Sequence, residues 1–350
     1  MNLDLKTKII KIARENIDAN KIRKAANILR EGGLVAFPTE TVYGLGADAL
    51  NPKGVSKIFK VKGRPPDNPL IIHIGDKTDL EKLAVNIPQD AELLIKKFWP
   101  GPLTLVLKKS SIIPKIVNAG LDTVAIRMPS NKIALSLIRG AKVPIAAPSA
   151  NISTRPSPTS AEHVINDLGG KIDLIIDGGE TNIGVESSVI DLTTTPRILL
   201  RPGGVTFEDL QAVLGKNNLQ KLHSKPEDKQ LKPKSPGMKY RHYSPIADVF
   251  LVEGRTENVE KKVKELAIYY KEKGCKVGIM TIKEMHQYQA DKVKFIGSDF
   301  ESVAQNMFKT FRKFDKNDID IIIMEGVKEK QLGLAIMNRL RKAASKIIYV

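Results

Sequence analysis

The pattern of hydrophobic and polar residues differs between the first two thirds of the chain and the last third. From Asn16 to Leu210, short β-rich runs are mixed with helix-like stretches, without a regular alternation of strand and helix. This mixture predicts an α+β or mixed-sheet domain. One predicted helix spans residues 52–61, and the β-rich runs predict strands at Leu34–Pro38, Leu70–Ile74, Leu103–Leu107, Thr123–Met128, Val143–Ala147, Leu174–Ile176, Ser188–Leu192 and Arg197–Arg201.

After Ile246 the pattern becomes a regular alternation, which predicts a small parallel α/β domain. Apolar residues recur at helical spacing between Phe300 and Phe314, and we interpret them as a helix packed on a sheet rather than a ligand-stacking face. The predicted elements are strands Val249–Val252, Lys276–Met280, Val293–Ile296, Ile319–Met324 and Ile347–Val350, and helices Glu257–Lys273, near Lys283, Phe300–Lys313 and Leu332–Ala344.

Apolar density collapses between Lys216 and Pro245, where Lys, Pro, Ser, Asp and Gln dominate, and this composition predicts a linker. The resulting organisation is a first domain over residues 1–215, a linker over 216–245 and a second domain over 246–350. The end of the linker concentrates aromatic and cationic side chains, which predicts an active-site lid: Tyr240, Arg241, His242 and Tyr243. The alternative is that the two tyrosines only anchor the second domain on the first.

Composition narrows the class of protein. With 350 residues, 42% of them hydrophobic and 27% charged, the chain is long enough for two ordinary cores. A single cysteine, Cys275, excludes a disulfide framework and cysteine-rich metal sites, and it suits a reducing cytoplasm. No stretch has the pattern of a leader or a membrane span, so we expect a soluble cytoplasmic protein. The net charge of +17 favours polyanions such as nucleotides or tRNA, although a lysine-rich solvated surface gives the same total.

Polar and cationic residues follow several predicted strands or helices of the first domain. Lys62 and Arg64 lie in a segment stiffened by glycine and prolines, which suits an anion site but also a simple helix stop. His73 and Arg127 lie within apolar strands, where a satisfied core histidine and a buried structural ion pair are the plain alternatives. Because ligands bind where strand ends and loops converge, the combination indicates one ligand site.

Three strings carry a more specific signal: Pro38-Thr-Glu-Thr-Val-Tyr-Gly-Leu-Gly46, Lys62-Gly-Arg-Pro65 and Pro148-Ser-Ala-Asn151. Together they resemble the YrdC-like family of threonylcarbamoyl-AMP synthases over about the first two hundred residues. The segment from Ser235 to Pro245 and the small domain after it look like the long, two-domain form. The resemblance implies a twisted mixed-sheet domain with a concave basic cavity, followed by a small Rossmann-like parallel α/β domain.

The implied reaction joins L-threonine, bicarbonate and ATP into threonylcarbamoyl-AMP and releases pyrophosphate. Mg²⁺ would arrive bound to the ATP phosphates, without a dedicated protein metal site. A tRNA threonylcarbamoyl transferase complex would then modify the adenosine beside the anticodon, and a direct tRNA contact is a further implied partner. Two alternatives stay open: an RNA-binding module without catalysis, and a related enzyme that forms a carbamoyl-adenylate.

The resemblance also implies roles for individual residues. Fixed cations suit attack of a carbamate oxygen on the α-phosphate, so Lys62 and Arg64 are the implied catalytic residues. The implied ATP contacts are Lys62, Arg64, Thr123, Ser149, Asn151, Ser157, Arg201 and Tyr240. The implied threonine contacts are Thr39, His73, Arg127, the backbone at Ala147, and Ser187.

Overall fold

The computed structural model describes residues 6–222, 242–284 and 288–350, and these residues divide into two units. The first unit comprises the described residues of Met1–Ser153, Pro158–Asn182 and Glu186–Lys239, and the second those of Thr154–Ser157, Ile183–Val185 and Tyr240–Val350. No helix among the described residues is long and apolar enough to cross a membrane. The predicted domain boundaries at 215 and 245 stay a prediction.

The first unit is built on one mixed sheet, whose order is β1-β9-β2-β3-β8-β4-β7-β6-β10-β11-β12, with β5 paired to β6. Neighbouring strands run parallel in some pairs, such as β4 and β7, and antiparallel in others, such as β4 and β8. The strands are β1 (Lys8–Lys11), β2 (Val35–Phe37), β3 (Gly44–Asp48), β4 (Ile71–His73), β5 (Ala84–Val85), β6 (Leu103–Lys109), β7 (Thr123–Arg127), β8 (Ile145–Ala146), β9 (Leu174–Asp177), β10 (Ser188–Asp191), β11 (Arg197–Arg201) and β12 (Leu219–Lys221).

Helices pack on this sheet because alternate strand residues point to opposite faces. Val35 and Phe37 belong to a core cluster with helices α1 and α5, whereas Ala36 belongs to the larger cluster that contains α2 and α4. The helices of the unit are α1 (Ala19–Arg30), α2 (Pro52–Lys62), α3 (Leu80–Leu83), α4 (Gln89–Phe98), α5 (Lys132–Ala141), α6 (Ala161–Leu168) and α7 (Phe207–Leu214).

Helix α2 shows how local sequence positions a site residue. The Asn51 side chain caps the helix by accepting from the amides of Lys53 and Gly54, and Pro52 occupies its first turn. Gly63 ends the helix in the left-handed conformation, with φ of 60°. The predicted helix is thus confirmed, its end is a glycine stop, and Lys62 occupies its last turn.

The second unit contains a parallel five-stranded sheet of order β15-β14-β16-β13-β17. Phe308 and Phe311 of helix α9 are fully buried in its core, which confirms the interpretation of this helix as a core element. The elements are β13 (Asp248–Glu253), α8 (Thr256–Glu272), β14 (Val277–Thr281), β15 (Lys292–Phe295), α9 (Phe300–Lys316), β16 (Ile321–Glu325), α10 (Gly333–Ala343) and β17 (Lys346–Tyr349).

The predicted fold class, a mixed-sheet domain followed by a small parallel α/β domain, is confirmed. Some details differ. Strands β1, β3 and β5 are not among the predicted strands, and residues 216–221, predicted as linker, form a 3-10 turn and the edge strand β12. The short helix predicted near Lys283 falls partly outside the described residues, and Lys283 itself is not helical. The implied concave cavity stays a prediction.

Candidate functional site

The centre of the candidate site is the buried guanidinium of Arg127, at the C-terminal end of β7. Its Nη2 donates to Glu40 Oε1 at 2.5 Å, Nη1 donates to Thr41 Oγ1 at 3.1 Å, and Nε donates to the Gly101 carbonyl at 3.2 Å. The exposed fractions of the Arg127 and Glu40 side chains are 4% and 9%, so this is a buried ion pair. The structure thus shows an ion pair at Arg127, and the implied threonine contact of Arg127 stays a prediction.

A turn formed by residues 39–42 presents Glu40 and Thr41 to Arg127. Thr39 Oγ1 accepts from the amides of Thr41 and Val42, donates to the Val42 carbonyl at 2.6 Å, and lies 2.8 Å from Thr41 Oγ1. A threonine hydroxyl that bonds the backbone two and three residues ahead fixes a tight turn. The hydroxyl of Thr39 thus contacts the Thr41 hydroxyl that binds Arg127, and its implied role as a threonine contact stays a prediction.

His73 pairs with Arg127 in the parallel register of β4 and β7. Burial, and after it the nearby Arg127 charge, lowers the pKa of His73 to about 3, against hydrogen bonds with the backbone at Ile71 and Ile145 that raise it. The imidazole is therefore neutral at pH 7. Its Nδ1 is buried and has no hydrogen-bond partner among the described residues.

A second cluster joins Ser187 to Arg201, at the C-terminal end of β11. Arg201 Nε and Nη2 donate to the Ser187 carbonyl at 3.1 and 2.9 Å, and Nη2 also lies 3.1 Å from Ser187 Oγ. Thr104, fully buried on β6, places its hydroxyl 2.8 Å from the same Oγ. Ser187 therefore contacts both Arg201, an implied ATP contact, and strand β6. The turn just before β6 carries the Gly101 carbonyl that accepts from Arg127.

A third cluster joins Lys62 to the turn of residues 149–151. Lys62 Nζ donates to the carbonyls of Ser149, at 2.6 Å, and Asn151, and the Lys62 carbonyl accepts from the Ser153 amide at 2.8 Å. Ser149 Oγ donates to Asn151 Oδ1 at 2.5 Å. Two of the three strings that carry the family resemblance are thus joined by a hydrogen bond between residues 87 positions apart in sequence.

Arg64 lies beyond Gly63 and is only half-buried. Its Nη2 donates to the carbonyls of Asn68 and Pro69 at 3.2 and 3.1 Å. These bonds close the loop between α2 and β4 around the guanidinium. Both implied catalytic cations are therefore held by backbone carbonyls, which fix their positions.

Backbone segments connect the three clusters within the first unit. The Gly101 carbonyl accepts from Arg127 and the adjacent Pro102 carbonyl accepts from the Ser188 amide, so one turn supports the first two clusters. On the other side, the amides of Leu45 and Ala150 bond the carbonyls of Pro148 and Tyr43. Each cluster is thus attached to its neighbour by hydrogen-bonded backbone.

The remaining implied residues are placed as follows. Thr123 begins β7, at the opposite end from Arg127, and Ala147 follows β8, with its amide bonded to the Ile71 carbonyl at 2.9 Å. Ser157 is buried and belongs to the second unit. Their ligand roles stay predictions.

Of the four predicted lid residues, the structure describes His242 and Tyr243. Tyr240 and Arg241 lie outside the described residues, and the role of His242 stays a prediction. Tyr243 is buried in the core of the second unit, where its ring stacks on Phe308 with a centroid distance of 5.3 Å. This packing fits the alternative in which Tyr243 anchors a domain, and the lid assignment stays a prediction.

Three buried residues of these clusters were missed as candidates: Glu40, Thr41 and Thr104. Glu40 and Thr41 lie inside a string that was recognised, so an unexplained acid between two threonines was the available signal. Thr104 gave none, because a threonine in an apolar strand is ordinary and its partner Ser187 is 83 residues away.

Several cations fixed within one hydrogen-bonded α/β framework are typical of a class: α/β enzymes that act on anionic substrates such as nucleotides. Comparison with known proteins specifies the family. A family model described as telomere recombination matches residues 27–203, and one described as threonylcarbamoyl-AMP synthase, C-terminal domain, matches residues 205–345. The chain belongs to the threonylcarbamoyl-AMP synthase family.

Relatives match nearly the whole chain. The threonylcarbamoyl-AMP synthase of Pyrococcus abyssi is 56% identical over 337 residues, covering 96% of this chain and 97% of its own. That of Bacillus subtilis is 50% identical over 329 residues, covering 93% of each. The crystal structure of P. abyssi Sua5 complexed with L-threonine superposes with a TM-score of 0.92 at 54% identity, covering 98% of this chain and 100% of that one. Of the interpretations that the sequence left open, the synthase is confirmed and the alternatives are not.

Proposed function

We propose that this chain joins L-threonine, bicarbonate and ATP into threonylcarbamoyl-AMP with release of pyrophosphate, and that the three clusters divide the work. The single observation that carries the assignment is the hydrogen-bonded connection of the Lys62, Arg127 and Arg201 clusters within one unit. Relatives that cover the chain end to end are threonylcarbamoyl-AMP synthases, which supports the same reaction.

The Arg127 cluster is the proposed amino-acid subsite. A guanidinium offers a carboxylate two parallel donors, and Arg127 already has one N–H of each Nη engaged, by Glu40 and Thr41, out of two. The neutral His73 ring can accept from or donate to the threonine hydroxyl, because its Nδ1 has no partner in the described chain. Thr39, Ser187 and the backbone at Ala147 complete the proposed contacts.

The Lys62 cluster, with Arg64 and Arg201, is the proposed nucleotide subsite. Threonine and bicarbonate give a carbamate with loss of water, and a carbamate oxygen attacks the α-phosphorus as the bond to pyrophosphate breaks. Both partners are anions, so cations that are already fixed stabilise the transition state without further reorganisation. We assign that role to Lys62 and Arg64, with Thr123, Ser149, Asn151, Ser157 and Tyr240 as additional ATP contacts.

We propose that Mg²⁺ enters with ATP, held mainly by phosphate and water oxygens. Within the described residues, no group of three or more His, Cys, Asp or Glu side chains could hold a metal ion. The product would pass to a tRNA threonylcarbamoyl transferase complex in the cytoplasm. The net charge of +17 supports a direct tRNA contact, which a steep salt dependence of tRNA binding would test.

The decisive experiment measures pyrophosphate release from ATP with each amino acid in turn, with and without bicarbonate. We expect release that requires both L-threonine and bicarbonate, and a product that carries the label of ¹³C-bicarbonate. Release that ignores either component, or a product without the label, would contradict the proposed reaction. Omitting Mg²⁺ in the presence of a chelator tests its part separately.

A further inference from the structure

Glu40 is a buried partner of Arg127 to which the proposed reaction assigns no role. One carboxylate oxygen, Oε1, binds Arg127 Nη2 at 2.5 Å. The other, Oε2, is buried and has no hydrogen-bond partner in the part of the chain that the structure describes. A buried carboxylate oxygen without a donor is costly, and a pair kept only for structure would be expected to satisfy both oxygens.

The position of Glu40 is fixed from both sides. Its backbone belongs to the turn clamped by Thr39, and its neighbour Thr41 binds the same guanidinium at 3.1 Å. Oε2 therefore lies next to the guanidinium that Oε1 holds, on a carboxylate whose place is set by the turn.

An adjacent cation and anion match one chemical class of ligand, a zwitterionic α-amino acid. Arg127 alone would attract phosphate or bicarbonate as readily as a carboxylate. A fixed negative charge beside it disfavours such anions and favours a ligand that brings an ammonium group along with its carboxylate. Arg127 offers an ammonium group no acceptor, whereas Glu40 Oε2 is an acceptor that has no partner among the described residues.

We propose that Glu40 is a specificity-determining residue that receives the ammonium group of the substrate on Oε2, while Oε1 positions Arg127 for the carboxylate. The inference rests on the proposed function, because that function assigns Arg127 to threonine. It adds a recognition element for the amino group, on which carbamate formation takes place.

The test pairs one substitution with two ligands in calorimetry on the full-length protein. Glu40→Gln keeps an oxygen for Arg127 and removes the charge. We expect L-threonine to bind about tenfold to a hundredfold more weakly, the range of a lost charged hydrogen bond. Binding of (R)-3-hydroxybutanoate, which is threonine without its amino group, should change by less than about threefold, and ATP binding should not change. Glu31→Gln, at the exposed end of α1, is the matched control.

Equal weakening of both ligands would make Glu40 a purely structural partner of Arg127, and no weakening of either would remove it from the subsite. If Glu40→Gln does not fold, the wild-type protein still decides: failure to prefer threonine over (R)-3-hydroxybutanoate by at least about tenfold overturns the inference. The proposed function fails differently, through pyrophosphate release that does not depend on threonine.

Discussion

Replacing Lys62 by methionine tests whether the cation of the nucleotide subsite also holds the site together. The Lys62 side chain is almost fully buried, and its ammonium group donates to two backbone carbonyls, those of Ser149 and Asn151. Methionine has a similar length and no donor, so Lys62→Met leaves both carbonyls without this partner. The turn that carries Ser149 and Asn151 then loses its attachment to helix α2.

The structure sets the size of the effect. A hydrogen bond to a charged group contributes about 1.5–3 kcal/mol, so losing two should lower the free energy of unfolding by about 3–6 kcal/mol. That is a large share of the roughly 5–15 kcal/mol of an ordinary protein, and the variant should still fold. Lys60→Met, on the exposed side of the same helix, should cost less than about 0.5 kcal/mol.

Two measurements separate stability from catalysis. Trp99, the single tryptophan, is buried in the first unit, so its fluorescence during urea unfolding reports on that unit. Pyrophosphate release under conditions where the variant is folded should fall by about a hundredfold, because a fixed charge beside the transferring phosphate is gone. A loss of stability below about 1 kcal/mol would refute the carbonyl anchoring, and unchanged turnover would refute the role in phosphoryl transfer.

Two buried groups give further predictions. The His73 pKa of about 3 lies below its usual 6.5, so the unfolded chain takes up a proton before the folded chain does as the pH falls. The free energy of unfolding should therefore fall by up to about 1.4 kcal/mol per pH unit between roughly pH 6 and pH 3. Urea midpoints of His73→Gln measured against pH should lack that component, and a pH dependence identical to the parent's would contradict it. Gly203→Ala should raise the KM for threonine by about tenfold or more. The new Cβ would lie 2.3 Å from the Glu186 carbonyl oxygen and 2.4 Å from the Ser187 carbonyl carbon, and this clash displaces Ser187. An unchanged KM would show that the backbone at Gly203 does not hold Ser187 in place.

Much of the fold was predictable where local sequence decides it. Helix α2 carries an asparagine cap, a proline in its first turn and a glycine stop, and its bounds were predicted within one residue. Strand β3 was missed because Gly44 and Gly46 have little β propensity, and tertiary hydrogen bonds to residues 146–149 make the strand. Strand β12 was missed because a short polar edge strand resembles a linker.

The site divides in the same way. Lys62 was a candidate because it lies in a recognisable string, and Arg201 because it ends a predicted strand, whereas the partners that hold them depend on the register of distant strands. Glu40 pairs with Arg127 across 87 residues, and no local rule links the two. Sequence therefore predicted candidate ligand-binding side chains, whose roles stay predictions, and the structure adds the groups that orient those side chains.

The register of the mixed sheet sets the distance between the two proposed subsites. Strand β8 runs antiparallel to β4, with His73 paired to Ile145, so the chain moves away from the Arg127 cluster as it continues towards Ser149. Four residues at the rise of a strand separate these levels, about 13 Å. A parallel neighbour would have brought both loops to one edge of the sheet. The antiparallel one spreads them along it, and an amino-acid carbamate aligned with a triphosphate is an extended ligand that needs such a separation.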